Sequence, residues 1–121
     1  MKVLVCGDRD FYDWRLLEHT LYEFNKDEAY DTGITEIIHG DAQGADRLAG
    51  QWAVYQNINI SKFPANWEVY GKRAGSIRNK QMLDLGNPEY VIAFLAPNSI
   101  GTKNMIEQAT KAGVQVKVIN V

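Results

Sequence analysis

Tyr90-Val91-Ile92-Ala93-Phe94-Leu95 is six apolar residues in a row, closed by Pro97-Asn98-Ser99. A strand with one wet face alternates polar and apolar side chains. An unbroken run needs cover on both faces, as in a parallel sheet between two layers of helices. Outward from this run, Val3-Leu4-Val5-Cys6 repeats the pattern and stops at Gly7-Asp8. Thr35 to His39 repeats it before Gly40-Asp41, and Ile58 to Phe63 does so less cleanly because Asn59 and Ser61 interrupt it. Val114 to Ile119 reads as the last strand. Helical spacing fills the gaps. Asp13 is placed to cap a helix in which Trp14, Leu17, Leu21 and Phe24 recur, a pattern that decays before Thr32-Gly33. Leu48, Ala49, Trp52 and Ala53 share a face of a helix from Ala45 to Tyr55. Ser76 can cap a helix through Leu85, ended by Gly86-Asn87-Pro88, and a last helix runs from Thr102 to Ala112. Pro64 to Gly75 is the longest stretch without periodicity.

Strands alternating with helices give an α/β fold. Right-handed crossovers make it a doubly wound three-layer sandwich on a five-stranded, mostly parallel sheet of order 3-2-1-4-5. At 121 residues and 45% apolar content, the chain reads as one domain with one core that needs no staples. A single cysteine excludes an internal disulfide, and with two histidines there is no Cys/His zinc cluster. No apolar run approaches the roughly 20 residues of a membrane span. The start MKVLVCGDRD turns acidic too soon for a secretory leader, so a cytoplasmic location is expected.

Thirteen basic against fifteen acidic residues give a net charge of -2, but the charge is unevenly spread. Between residues 62 and 80, Lys62, Lys72, Arg73, Arg78 and Lys80 face Glu68 alone. An acidic chain with one basic segment suits a small anion better than duplex DNA, which needs a broad basic face. A solvated loop and helix face is the plain alternative.

Doubly wound sheets bind ligands beyond the C-terminal strand ends where the strand order reverses, here between strands 1 and 4. The polar and small residues gather at those ends. Gly7, Asp8 and Arg9 follow strand 1, Gly40, Asp41, Gly44, Ala45 and Asp46 follow strand 2, and Gly101 and Thr102 follow strand 4. Small residues at a strand-to-helix turn let a ligand approach backbone N–H groups, and a helix start favours an anion. The spacing matches neither the dinucleotide glycine fingerprint nor a phosphate loop. Thr102 can either cap its helix or hold phosphate. Asp41 and Asp46 suit a ribose hydroxyl or Mg²⁺, although Asp46 also suits the helix N-terminus itself. Arg9 is divided between an anion and its neighbours Asp8, Asp10 and Asp13. Arg78, near a helix start, can clamp a phosphate, and Asn79 can read a base or ribose. Trp67 and Tyr70 can cover a planar ring or anchor their loop. His39 reads as a satisfied structural histidine and Cys6 as a buried thiol.

The runs V-L-V-C-G-D-R-D-F, I-H-G-D-A-Q-G-A-D-R-L-A, F-P-A-N-W, G-K-R-A-G-S-I-R-N-K-Q-M and G-T-K-N-M-I-E-Q-A together resemble the YspA-like, phage-common branch of the SLOG superfamily. That superfamily unites the Smf/DprA DNA-processing proteins with the LOG phosphoribohydrolases. The resemblance spans essentially the whole chain. It implies a Rossmann-like sandwich, a nucleotide or nucleotide-derived ligand at the strand ends, and homo-oligomers; no cofactor or resident metal is expected. The enzymatic relatives split the N-glycosidic bond of nucleoside 5'-monophosphates. Arg78-Asn79-Lys80-Gln81-Met82 resembles their arginine motif. Pro97-Asn98-Ser99-Ile100-Gly101-Thr102 resembles their glycine-rich turn, with Asn98 and Ser99 in place of two glycines. Their catalytic glutamate falls at Met105. Glu107 is two positions on, about 200° around a helix, and does not replace it. Three functions follow: nucleotide binding or sensing first, an N-glycosidase using Arg78 with Asp41 or Asp46 second, and single-stranded DNA handling third.

Overall fold

The structure, a computed structural model, describes residues 1–26 and 33–121. The strands are β1 (Lys2–Gly7), β2 (Glu36–His39), β3 (Asn59–Lys62), β4 (Tyr90–Leu95) and β5 (Gln115–Asn120). They form one sheet in the order β3-β2-β1-β4-β5, and every neighbouring pair is parallel. The helices are α1 (Trp14–Lys26), α2 (Ala45–Tyr55), the single turn α3 (Trp67–Tyr70), α4 (Ala74–Gly86) and α5 (Ile100–Lys111), with a 3₁₀ turn over Gly71–Arg73. This is the α/β Rossmann-like sandwich expected, in the expected strand order.

The unbroken apolar strands are explained by two separate cores. Along β1, Val3 and Val5 pack with Leu17, Leu21 and Phe24 of α1 and with Ala49 and Trp52 of α2. The intervening Leu4 and Cys6 pack with Met82 of α4 and with Met105 and Ala109 of α5. Alternate side chains of one strand thus enter opposite apolar layers, and no position is left for a polar residue. Val3, Leu4 and Val5 are completely buried. β3 lies at the edge, where Asn59 is exposed and Ser61 half-buried, so its interrupted pattern costs little. Among the described residues, no helix is long and apolar enough to cross a membrane.

Two helix starts differ from the sequence expectation, and one short helix was not expected at all. Asp13 caps α1 as expected, its Oδ1 accepting from the Leu16 amide at 3.1 Å, but the decay before Thr32-Gly33 reaches into residues 27–32, outside the described ones. α4 begins at Ala74, so Ser76 lies inside the first turn rather than capping it. The aperiodic stretch before it contains α3, whose amide at Val69 donates to the Asn66 side chain at 3.2 Å. None of the α3 residues is buried, so no apolar period marked it in the sequence. α5 begins at Ile100 with Ser99 as its N-cap residue, which puts Thr102 in the first turn, buried, and not at the cap.

Candidate functional site

A crevice of about 550 Å³ opens at the C-terminal strand ends, where the order reverses between β1 and β4. Four segments wall it: the end of β1, the β2–α2 turn, the α3–α4 region, and the β4–α5 turn. Of the residues expected here, Gly7, Asp8, Arg9, Asp41, Asp46, Arg78, Asn79, Gly101 and Thr102 line it.

Gly40, Gly44 and Ala45 do not. They lie behind the wall, and packing explains each of them. Gly44 has φ 84°, and a Cβ there would run into the Asp8 carbonyl, so the β2–α2 turn lies directly on the β1 loop. The Ala45 amide donates to Asp8 O at 3.3 Å, and Ala45 Cβ presses on Gly7, where any added Cβ would sit 2.6 Å away. The Gly40 amide donates to Asp46 Oδ2 at 2.9 Å. A Cβ on Gly40 would collide with the Arg78 guanidinium and come within 2.9 Å of Asp46 Oδ2. The amides of Gly40 and Ala45 therefore hold the wall together, leaving Gln43 as the residue of this turn that lines the crevice with no backbone bond to another described residue.

Asp46 stands in the first turn of α2 and is 4% exposed. Its Oδ2 also accepts from the Ala42 amide at 3.4 Å. Burial pushes its carboxyl up from 3.8 to about 6, and the nearby Arg78 charge and the two amides limit the rise. Arg47 does not pair with it; Arg47 Nε lies 3.7 Å from Asp41 Oδ1. Asp41 has φ 55°, and its amide donates to His39 Nδ1 at 2.9 Å.

Arg78 sits in the second turn of α4, not near its start. Its Nη1 donates to Gly40 O at 2.6 Å and its Nε to Asn79 Oδ1 at 3.0 Å. The guanidinium is fixed in orientation, and Nη2 has no partner among the described residues. Nη2 and the second Nη1 hydrogen are the donors left on the guanidinium after the bonds to Gly40 and Asn79. Asn79 is buried, and its Nδ2 donates to Gly101 O at 3.2 Å and to Asn104 Oδ1 at 3.1 Å. It ties α4 to α5 while still lining the crevice.

Asp8 likewise braces the site. Its Oδ1 accepts from Ser99 Oγ at 2.9 Å and its Oδ2 from the Asp10 amide at 3.0 Å. Arg9 is exposed and, among the described residues, has no ion pair with Asp8, Asp10 or Asp13. On α5, nothing lies within 4 Å of the place a Gly101 Cβ would take, so the helix start is open to close approach. Met105, where the resemblance leads one to expect the glutamate, is fully buried in the core beneath α4 and α5. Glu107 faces elsewhere, paired with Lys111 at 3.0 Å.

His39 is 1% exposed and outside the crevice lining. Its Nδ1 accepts from Asp41, while Nε2 has no partner among the described residues and packs against Gly50. Burial lowers its pKa to about 4, so it is neutral at pH 7. The satisfied histidine expected is only half satisfied. Cys6 is buried and its thiol pushed well up by desolvation, as a core thiol should be. Trp52 packs in the core, while Tyr55 is exposed with its ring edge-on to Trp14. Among the described residues, no group of three His, Cys, Asp or Glu could hold a metal ion.

Arg47, Gln43 and Ile100 line the crevice although sequence reasoning gave them no role there. Arg47 and Gln43 stand inside the G-D-A-Q-G-A-D-R run, and that proximity was the available signal.

Residues 1–70 match the family described as "YspA, cpYpsA-related SLOG family". Over 122 residues the chain is 33% identical to the "Gene 61 protein" of Mycobacterium phage D29, covering 95% of this chain and 93% of that protein. No solved structure matches. The family match takes in the β1 loop, the β2–α2 turn and α3, and the phage relative extends the likeness over most of the chain. The chain belongs to the YspA, cpYpsA-related SLOG family.

Proposed function

We propose that the crevice binds a nucleotide or a nucleotide-derived small molecule. One observation carries this reading: the fixed Arg78 guanidinium, with Nη2 unengaged, shares the crevice with the open start of α5 at Gly101. A cation held in place beside unpaired helix N–H groups is a site for phosphate. The unpaired Arg9 adds charge at the rim, and Asp41 is the carboxylate best placed to accept from ribose hydroxyls. Membership of the family supports the same class of ligand. Asp8, Asp46, Gly40, Gly44, Ala45 and Asn79 then serve by holding the walls.

Calorimetry with nucleoside mono- and diphosphates and ADP-ribose tests it. At least one should bind, and Arg78→Ala should weaken that binding roughly 10- to 100-fold, the loss expected for a charge-assisted hydrogen bond. Absence of any binding to folded wild-type protein overturns the proposal.

A second reading, N-glycosidase activity, is favoured by the Asp46 carboxyl on the crevice wall, held near the range useful for acid–base chemistry. Arg78, Asp41 and Asp46 would be its catalytic set. It requires free base to appear from a nucleoside monophosphate panel and to vanish in Asp46→Asn. Single-stranded DNA handling gains nothing from a chain of net charge -2.

A further inference from the structure

α3 is one helical turn containing Trp67, Val69 and Tyr70, and none of them is buried. Trp67 is 59% exposed and Val69 67%. Hydrophobic burial therefore does not account for this turn. Its shape comes from Asn66, whose side chain and carbonyl accept from the amides of Val69 and Tyr70. Trp67 leans on the first turn of α4, where a Cβ on Gly75 would meet the indole at 3.5 Å, and it lines the same crevice as Arg78. On the α5 side, Ile100 lines the crevice and is 81% exposed. A large aromatic and a branched aliphatic side chain thus stand in water within the cavity that holds the fixed guanidinium. A ligand that satisfies both needs a flat apolar ring joined to an anionic end.

We infer that Trp67 is the stacking platform for the base of the ligand, so that the crevice selects base-bearing nucleotides over sugar phosphates. This rests on the nucleotide reading above and specifies which part of the ligand carries selectivity. Trp67 acts by direct contact with the ring, Ile100 adds a smaller apolar contact, and neither touches the phosphate. Stacking on an aromatic side chain tolerates any base, so the preference is for the presence of a base more than for its identity.

The test is calorimetry with the four nucleoside 5'-monophosphates, ribose 5-phosphate and inorganic phosphate, on wild type, Trp67→Ala and Trp67→Phe. Wild type should bind at least one monophosphate ten or more times more tightly than ribose 5-phosphate. Trp67→Ala should weaken that monophosphate about 10- to 100-fold and leave ribose 5-phosphate unchanged, while Trp67→Phe should recover most of the loss. Because Trp67 is mostly exposed and outside both cores, the thermal midpoint of Trp67→Ala should stay close to wild type, which separates lost stacking from lost fold. If Trp67→Ala binds the monophosphate like wild type, or loses both ligands equally, the stacking role is overturned and the nucleotide reading stands. If wild type binds none of these probes, the selectivity for base-bearing monophosphates falls; if the nucleoside diphosphates and ADP-ribose also fail to bind, so does the nucleotide reading.

Discussion

At the scale of single residues, Asp46 and His39 pull stability in opposite directions over one pH range. The folded-state pKa of Asp46 is raised from 3.8 to about 6. Its contribution is therefore full below pH 3.8 and lost as pH rises through about 6. His39 is lowered from 6.5 to about 4, so its contribution is full above pH 6.5 and lost as pH falls through about 4. Each shift corresponds to about 3 kcal/mol, and the two largely offset each other between pH 4 and 6. Asp46→Asn keeps an acceptor for the Gly40 amide and removes the buried charge. It should be more stable than wild type at pH 8, by up to about 3 kcal/mol, with the advantage gone by pH 4. Urea unfolding across that range measures it, and a variant less stable than wild type at pH 8 would show that the amides and Arg78 outweigh desolvation. Gly44 gives a second residue-scale prediction. Its φ of 84° disfavours any Cβ, and the Cβ would also strike the Asp8–Arg9 backbone rather than a flexible side chain. Gly44→Ala should cost roughly 2–4 kcal/mol, read as a lowered denaturation midpoint.

Between elements, the site depends on ties that cross the switch point. Ser99 Oγ donates to Asp8 Oδ1 and accepts from the Ala96 amide at 3.1 Å, joining the β1 loop to the start of α5. Ser99→Ala breaks both bonds and should cost about 1–2 kcal/mol. Hydrogen exchange should show the Ala96 amide less protected, and nucleotide affinity should fall because the α5 start loses its brace. Unaltered exchange at Ala96 would mean that this tie does not hold the turn. Asn79 performs the same task between α4 and α5. These ties were not legible in the sequence: Ser99 and Asp8 are 91 residues apart, and nothing local to either signals the other.

For the whole molecule, the doubly wound sheet gathers four short segments into one crevice, so a ligand there bridges both helix layers. Binding to the native state alone should raise stability by about 2.7 kcal/mol at a ligand concentration of 100 Kd. A rise of several degrees in the thermal midpoint with the tightest nucleotide of the panel checks this, and no shift at saturation would deny binding to the folded crevice. The sequence by itself determined the architecture. Continuous apolar strands such as Val3–Cys6 and Tyr90–Leu95 can be buried only between two helix layers, and strands alternating with helices leave one handed way to connect them. It also determined where the crevice opens, because the order 3-2-1-4-5 fixes where the strand order reverses. Only the tertiary structure decided what each residue there does. Asn79, Asp8 and Gly40 look in sequence like ligand contacts, but each makes at least one hydrogen bond to a partner 22 or more residues away: Asn79 to Gly101 and Asn104, Asp8 to Ser99, Gly40 to Arg78. The exposure of Trp67 likewise appears only once the walls around it are placed. Periodicity and turn chemistry are local and survive in one dimension, whereas the partner of a hydrogen bond is a property of the packed chain.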